Sequence, residues 1–268
     1  MLTESDNIDE IYMSICQELI KRPRYDGCRE ITNAKFTLTN VENNIVSIRN
    51  ISKDYLMAEL TWYFAGRNDV AFIGSFAKMW KDISDDGITN NSAYGYLMKH
   101  AHGFDQIEKI IELLKKDPAT RRAVINLNVP NQFVIETKDE PCTIALQFMI
   151  RGDKLHCTAM MRSNDIWFGF PYDVAFFTEL QKYIAFRLEI ECGTYTHFAV
   201  SLHMYEHDME KIRDVIIKHE KDPVKFNRFM FYDYVDAISE SMDVVIAKKG
   251  NVKKTFKTLI KEYGIMED

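Results

Sequence analysis

Residues 173–190 constrain the fold most, because a helix through them is apolar on almost every side. Such a helix has no solvent-facing stripe, so other elements must cover it. Its apolar positions are Val174, Ala175, Phe176, Phe177, Leu180, Ile184, Ala185 and Leu188. We therefore predict a long, central, buried helix, with Gly193 as the residue that ends it.

Residues 122–161, which precede this helix, show the pattern of β-strands. Three runs are rich in β-branched and other apolar residues: AVINLNV, IALQFMI and KLHCTAMM. The turn Arg151-Gly152-Asp153 separates the last two runs and predicts a hairpin. Because helical patterns flank these strands, we predict one α+β domain over residues 1–268, with helices packed on a mixed sheet.

Three amphipathic helices are predicted outside this region from apolar residues at helical spacing. The first covers residues 6–21, the second covers residues 52–65, and the third covers residues 105–117. Asp105 and Glu108 form the pattern of a capping box at the start of the third helix. The C-terminal run KKTFKTLIKEYGIMED is charged, and we predict that it is helical as well.

Composition limits the classes of function. The net charge of -6 disfavours a protein whose main surface binds nucleic acid, although a small anionic ligand remains compatible with it. No apolar run approaches the roughly 18 to 20 residues of a membrane span, and the acidic start MLTESDNIDE lacks the pattern of a secretion signal, so we expect a cytoplasmic protein with no membrane partner. The cysteines have no CxxC spacing, so neither a disulfide framework nor a zinc cluster is expected. They are Cys16, Cys28, Cys142, Cys157 and Cys192.

Glu59 has a position that helix propensity does not explain. It lies one helical turn from Tyr55 and one from Tyr63, on a stripe of apolar side chains. A carboxyl group on an apolar face favours its neutral form, which raises its pKa and suits proton transfer near neutral pH. The alternative is a glutamate at the edge of the helix whose side chain bends out to water.

Several arginines and one serine are candidates for binding a phosphate group. Guanidinium groups and hydroxyls hold a phosphate dianion where a chain has no glycine-rich loop, and this sequence contains neither a P-loop nor GxGxxG. Each arginine is alternatively a solvated surface charge. The candidates are Arg24, Arg121, Arg122, Arg162 and Ser163.

His203 and His207 are four residues apart, which on a helix is a spacing for metal ligands. The segment SLHMYEH follows a β-prone run, however, and is typical of a strand that leads into a helix. The two rings then need not share a face, so we expect no metal site.

Several motifs, in this order along the chain, resemble those of the thymidylate synthase family. They are AELTWYFAG (58–66), KMW (78–80), NSAYG (91–95), DPATRR (117–122), PC at Cys142, QF at Gln147, MRSNDIWFGFPYDVAFF (161–177) and SLHMYEHD (201–208). Together they span about residues 24–219. The resemblance implies a thymidylate synthase-like fold that pairs sheet to sheet in a homodimer, and an enzyme that acts on a pyrimidine nucleotide with 5,10-methylenetetrahydrofolate.

The resemblance also implies a role for each matching residue. Cys142 matches the nucleophile that adds to C6 of the pyrimidine, and Glu59 matches the carboxylate that organises water and moves protons. The matching nucleotide-binding positions are Arg24 (or Arg29 in its place), Arg162, Ser163, Asn164, Asp165, Asp173, His203 and Tyr205, with Arg121 and Arg122 reaching across from a second subunit. The matching folate-binding positions are Trp80, Ile83, Asp165 and Gly169.

Departures from the methylating enzymes indicate which reaction to expect. Asp173 stands where those enzymes have an asparagine that reads uracil, Ile83 replaces a tryptophan, and Thr143 replaces a histidine. A protonated carboxyl group complements N3 and the 4-amino group of cytosine, whereas its ionised form would be repelled by O4 of uracil. The changes at positions 83 and 143, together with NSAYG (91–95) in place of a glycine-proline version, are similar to the phage-type deoxycytidylate hydroxymethylases. The charged C-terminus also differs from the short apolar tail of the methylating enzymes. We therefore predict conversion of dCMP to 5-hydroxymethyl-dCMP.

Other functions stay open at this point. Asp173 is also chemically suited to be the N-cap of a helix that starts at Val174. The alternatives are a thymidylate synthase or hydroxymethylase acting on dUMP, a methyltransferase acting on dCMP, and a nucleotide-binding or RNA-binding relative without catalytic activity.

Overall fold

A computed structural model of the chain describes residues 3–129, 136–217 and 231–265. The chain forms two compact units. The sheet unit consists of Met1–Ile51, Ile107–Asn126 and Cys142–Val224, and the helical unit consists of Ser52–Gln106, Leu127–Pro141 and Lys225–Asp268. That residues 1–268 act as a single catalytic domain stays a prediction.

The sheet unit is built on a mixed sheet, which confirms the predicted α+β class. Its strands are β1 (Glu4–Ser5), β2 (Cys28–Leu38), β3 (Val124–Asn126), β4 (Thr143–Arg151), β5 (Lys154–Asp165) and β6 (Glu191–Tyr205). Their order across the sheet is β1-β2-β6-β5-β4-β3. The β1–β2 and β5–β6 pairs are parallel, and the other neighbours are antiparallel.

The helices confirm the types predicted from periodicity. In chain order they are α1 (Ile8–Leu19), α2 (Lys53–Phe64), α3 (Val70–Ile73), α4 (Met79–Ile83), α5 (Tyr94–Lys99), α6 (Gln106–Lys116), α7 (Phe170–Leu188), α8 (Met209–Ile217), α9 (Phe231–Ala247) and α10 (Val252–Glu262). The three predicted helices correspond to α1, α2 and α6, with ends that differ by one or two residues, and residues 253–262 of the charged C-terminal run lie in α10. In the part of the chain that the structure describes, no helix is both long and apolar enough to cross a bilayer.

The predicted hairpin is formed by β4 and β5. Arg151 pairs with Lys154, which leaves Gly152 and Asp153 as a two-residue turn. Both turn residues have positive φ, at 57° and 59°, and this combination belongs to the turn whose twist matches that of paired strands. The upstream run AVINLNV contributes only the short strand β3.

Helix α7 packs against β5 and β6 and is buried as predicted. Both of its ends differ from the prediction. It begins at Phe170, because Pro171 falls in the first turn, where a missing N–H costs no hydrogen bond. It ends at Leu188, because Glu189 adopts a left-handed conformation with φ 59° and ψ 38°. The expectation that Gly193 ends this helix is therefore wrong, and Gly193 lies in β6.

Helix α2 lies at the centre of the helical unit. Residues 56–64 are all buried, and α5 and α9 pack against the helix. Gly66 follows it with φ 68°, as expected for a glycine after a helix end. Gly95 on α5 permits close packing, because a Cβ at this position would lie 1.9 Å from the carbonyl oxygen of Tyr63.

Candidate active site

Cys142 lies directly before β4, where the chain enters the sheet. Its carbonyl oxygen accepts a hydrogen bond from the backbone N–H of Arg162 at 2.9 Å, which fixes the backbone of the cysteine beside β5. The residue is half-buried. Cys16 and Cys157 differ from it, because burial raises the pKa of Cys16 to about 12 and also raises the pKa of Cys157. These two thiols are therefore structural and unreactive.

Parallel pairing of β5 with β6 brings a group of predicted nucleotide-binding residues together. Asp165 is the register partner of His203, and the hydroxyl of Ser163 lies 3.5 Å from Nδ1 of His203. The rings of His203 and Tyr205 are 5.1 Å apart, and Tyr205 is 42% exposed. Burial raises the pKa of Tyr205, and nearby acidic groups, including Asp165 and Cys142, raise it further. The tyrosine is thus accessible and within electrostatic range of the cysteine.

The two histidines of the SLHMYEH segment lie in different elements. His203 is in β6, whereas His207 is in the 3-10 turn Glu206–Asp208 that follows it. Helical i, i+4 spacing therefore does not describe the pair. Within residues 3–129, 136–217 and 231–265, no three side chains of the metal-ligating types form a cluster.

Asp165 ends β5 and organises the turn that follows. Its carboxyl oxygens accept hydrogen bonds from the backbone N–H groups of Trp167 at 3.0 Å and Phe168 at 3.1 Å. Burial raises the pKa of this carboxyl group, while the two N–H donors and His203 partly oppose the rise. The turn leaves the ring of Phe168 52% exposed beside Gly169.

Asn164 and Asp173 form a hydrogen-bonded pair across this turn. Nδ2 of Asn164 donates to Oδ2 of Asp173 at 2.7 Å, and Asn164 is only 2% exposed. A Cβ at Gly169 would lie 3.0 Å from Nδ2 of Asn164 and 3.2 Å from Oδ2 of Asp173, so a larger residue would crowd the pair. The N-cap of α7 is Gly169, and Asp173 lies in the first turn. The alternative that Asp173 is the N-cap is therefore wrong.

The predicted phosphate-binding arginines are exposed. Arg24 lies between α1 and β2, and Arg162 lies on β5. Arg121 and Arg122 precede β3, and Nη2 of Arg122 is 3.7 Å from a carboxyl oxygen of Asp117. No contact in the described part of this chain brings the Arg121–Arg122 pair to Ser163 or His203. Their role across a dimer interface stays a prediction.

Arg29, the alternative to Arg24, is committed to other partners. Its Nε donates to Glu206 at 2.7 Å, and its Nη1 donates to the carbonyl oxygens of Ile20 at 3.1 Å and Arg22 at 2.6 Å. These bonds fasten the loop after α1 to the end of β6. Arg24 is thus the better candidate for a phosphate ligand in this loop.

The helical unit contains a second group of predicted residues, centred on Glu59. Glu59 is 5% exposed, so the alternative of a side chain that bends out to water is wrong. The hydroxyl of Tyr55 donates to Oε1 of Glu59, and Nε1 of Trp80 donates to the Tyr55 hydroxyl at 3.0 Å. Trp80 is also 5% exposed, and Ile83 is half-buried at the end of α4. A carboxyl group on an ordered chain of donors is suited to moving protons.

Arg49 was not predicted from the sequence. It is 7% exposed, and its guanidinium lies 4.4 Å from the ring centre of Trp167. The stacking supports the turn that Asp165 organises. The only signal in the sequence is a single arginine between apolar residues in the run IVSIRNI.

Comparison with known proteins gives the same family as the motifs. The profile described as Thymidylate synthase matches residues 11–241. The Deoxyuridylate hydroxymethyltransferase of Bacillus phage SP01 is 30% identical over 243 residues, which cover 80% of this chain and 63% of that protein. The protein of the same name from Pseudomonas phage M6 is 32% identical over 167 residues, which cover 61% of this chain and 48% of that protein. The chain thus spans less than two thirds of either relative's length.

Among solved structures, the thermostable thymidylate synthase A from Bacillus subtilis superimposes with a TM-score of 0.71. The match covers 85% of this chain and 91% of that one at 22% sequence identity. At this identity the likeness shows a shared fold.

Proposed function

The chain belongs to the thymidylate synthase family, and we propose that it is a folate-dependent transferase that converts dCMP to 5-hydroxymethyl-dCMP with 5,10-methylenetetrahydrofolate and water. The observation that carries this proposal is the Asn164–Asp173 pair, which presents a carboxyl group where the methylating enzymes have an amide. The names of the two phage relatives support transfer of a hydroxymethyl group.

The hydrogen bond from Asn164 favours one protonation pattern on Asp173. Oδ2 is the acceptor for Nδ2 of Asn164, so a proton on the carboxyl group resides preferentially on Oδ1. In the proposal, the protonated group donates to N3 of cytosine through Oδ1 and accepts from the 4-amino group through Oδ2. Uracil presents the reverse pattern, a donor at N3 and an acceptor at O4, and pairs poorly with this carboxyl group.

The thiolate of Cys142 adds to C6 of the pyrimidine, which makes C5 nucleophilic. The folate supplies a one-carbon unit, to which C5 forms a bond as tetrahydrofolate leaves and the C5 proton is lost. Water then adds to the exocyclic carbon, and expulsion of the Cys142 thiolate restores the aromatic ring. Glu59 orients the water and accepts its proton, with its carboxyl group held by Tyr55.

Residues of the sheet unit fit the ring of the folate. The carboxyl group of Asp165 can pair with pterin N–H groups, and the exposed ring of Phe168 offers a flat apolar surface. Gly169, the next residue, has no side chain that would crowd the Asn164–Asp173 pair beside this surface. The indole N–H of Trp80 donates to the Tyr55 hydroxyl. In the proposal, Trp80 therefore holds the Tyr55–Glu59 pair, and it also contacts the folate.

A homodimer completes the phosphate site in this proposal. Helix α7 covers one face of the sheet, whereas Met160 and Phe198 are half-buried and Val200 is 45% exposed on the other face. A second copy packed on that face would bury these side chains, and the partner's arginines at positions 121 and 122 would join Arg162 and Ser163 at the phosphate. Light scattering of the purified protein measures the mass of the assembly.

The names of both phage relatives favour a second candidate, a hydroxymethyltransferase acting on dUMP. The two candidates and the methylating alternative differ in measurable products. The purified protein is incubated with methylenetetrahydrofolate and either dCMP or dUMP. The proposal predicts tetrahydrofolate as the released pterin, with turnover of dCMP. Stoichiometric dihydrofolate would indicate methyl transfer and contradict the proposal.

A further inference from the structure

Two carboxylates hold residues 137–139, the described segment that leads to Cys142. Oδ2 of Asp85 accepts from the hydroxyl of Thr137 at 2.6 Å, and its Oδ1 accepts from the backbone N–H of Lys138 at 3.1 Å. A further bond has its carboxylate on the segment and its donor on the loop: the backbone N–H of Ser92 donates to Oδ2 of Asp139 at 3.1 Å. We call Asp85 and Asp139 the carboxylate clamp. It fastens this segment to the loop that follows α4.

The clamp continues into a buried polar network. Asp139, Asn90 and Ser92 are 4%, 1% and 9% exposed. Burial raises the pKa of Asp139, while hydrogen bonds from Ser92 and Asn90 partly oppose the rise. Nδ2 of Asn90 also donates to the carbonyl oxygen of Trp80 at 3.0 Å. The network therefore connects the helix that carries Trp80 with the segment that leads to the cysteine.

Such a network costs free energy that a simpler packing arrangement would avoid. Burying a carboxyl group is unfavourable unless donors compensate for the lost water, and an apolar side chain of similar size would hold two loops together without that cost. Directional hydrogen bonds instead fix one geometry. Asp139 precedes Cys142 by three residues, and we infer that the position of this segment matters for the cysteine.

The chain between the clamp and the thiol is short and stiff. Cys142 follows Asp139 by three residues, so their Cα atoms are at most about 10 Å apart. Pro141 has a fixed φ and restricts Glu140 to extended conformations. On its other side, the carbonyl oxygen of Cys142 is bound by the N–H of Arg162. The backbone of the nucleophile is thus restrained both before and after the residue.

We propose that Asp139 and Asp85 are positioning residues that set the location of the Cys142 thiol for attack on the pyrimidine. This role rests on the proposed function. In this role the clamp acts through the Glu140–Pro141 connection and not by contact with the nucleotide or the folate. Loss of the clamp leaves the nucleotide-binding residues in place and lets the thiol depart from the line of attack.

The test compares Asp139→Ala and Asp139→Asn with the parent. Lys138→Ala is the matched control, because the clamp binds the backbone N–H of Lys138, which alanine keeps, and the lysine side chain is exposed. Amide hydrogen exchange of residues 136–145 measures the clamp without any assumption about activity. Turnover of dCMP and its dissociation constant measure the consequence for the reaction.

We expect exchange in residues 136–145 of Asp139→Ala to be roughly 10-fold faster, kcat to fall roughly 10- to 100-fold, and the dissociation constant of dCMP to change less than about threefold. Asp139→Asn keeps one acceptor and should lie between Asp139→Ala and the parent, and Lys138→Ala should match the parent in all three. If Asp139→Ala does not fold, Thr137→Val, which removes a hydroxyl bonded to Asp85, replaces it.

If Asp139→Ala folds and its amide exchange in residues 136–145 is unchanged, the claim that the clamp holds this segment is wrong. Faster exchange with unchanged kcat would overturn the positioning role. A parent protein that turns over no pyrimidine nucleotide would mean that the proposed function fails, and the exchange result would still decide whether the clamp holds this segment.

Discussion

Asp173→Asn is predicted to invert the choice between dCMP and dUMP. To pair with uracil, the new side chain must turn its amide oxygen toward N3–H and its amide nitrogen toward O4. The nitrogen then takes the place of Oδ2, which accepts from Nδ2 of Asn164 at 2.7 Å in the parent. A rotation of the Asn164 amide by about 180° presents its oxygen to the new nitrogen and keeps a hydrogen bond between the two side chains. In this arrangement two donors oppose each other at the 4-amino group of cytosine, and two acceptors oppose each other at N3.

The expected magnitude follows from two hydrogen bonds whose direction is reversed. Each mismatched contact in a desolvated site costs about 1 to 3 kcal/mol, so the pair changes the relative barrier by about 2 to 6 kcal/mol. At about 1.4 kcal/mol per factor of ten, the ratio of kcat/KM for dCMP over dUMP should fall roughly 30- to 2 × 10⁴-fold.

The assay determines kcat/KM for both nucleotides in the parent and in Asp173→Asn. The melting temperature serves as the control, because a hydrogen bond between residues 164 and 173 persists after the Asn164 amide turns, which predicts little change in stability. A variant that folds normally and has the same dCMP to dUMP ratio as the parent would refute the assignment of base selection to Asp173.

Three further predictions concern other residues. Glu59→Gln should lower kcat about 10²- to 10⁴-fold, since it removes a general base, with little change in the measured dissociation constant of the nucleotide. Cys142→Ser should abolish turnover while still binding dCMP in equilibrium dialysis, because the hydroxyl is a far poorer nucleophile at neutral pH. His197 is 1% exposed, and burial lowers its pKa to about 3. As the pH falls below about 6.5, the imidazole therefore takes up a proton in the unfolded state and not in the folded state. As the pH falls from about 6.5 to about 5, the free energy of unfolding should therefore decrease by about 2 kcal/mol from this group alone. Urea titrations should show this decrease in the parent and not in His197→Phe.

Periodicity predicted the elements whose burial follows a single stripe or an alternating pattern. The α1 residues Ile8, Ile11 and Ile15 are all fully buried, and the β4–β5 hairpin has the expected turn. These features depend on local sequence. The predicted start of α7 was also wrong for a local reason. The apolar pattern predicted a helix that begins after Pro171, but proline is also compatible with the first turn of a helix, and α7 begins at Phe170.

The contacts that organise the site depend on residues distant in sequence and could not be predicted from patterns. Asp85 and Thr137 are joined by a hydrogen bond across 52 positions, and Arg29 and Glu206 are joined across 177 positions. The motifs predicted catalytic roles for Cys142, Asp173 and Glu59, because a family resemblance carries information on residues that are distant in sequence. The hydrogen bond from Asn164 to Asp173 required coordinates, since it depends on the turn at Gly169.

A competition experiment tests the central claim most directly. Equal concentrations of dCMP and dUMP are incubated together with the parent protein and methylenetetrahydrofolate, and the products are identified by mass spectrometry. The predicted result is a hydroxymethyl group on the cytosine nucleotide, with dUMP largely unchanged. Preferential modification of dUMP, or a methyl group on either base, would contradict the account.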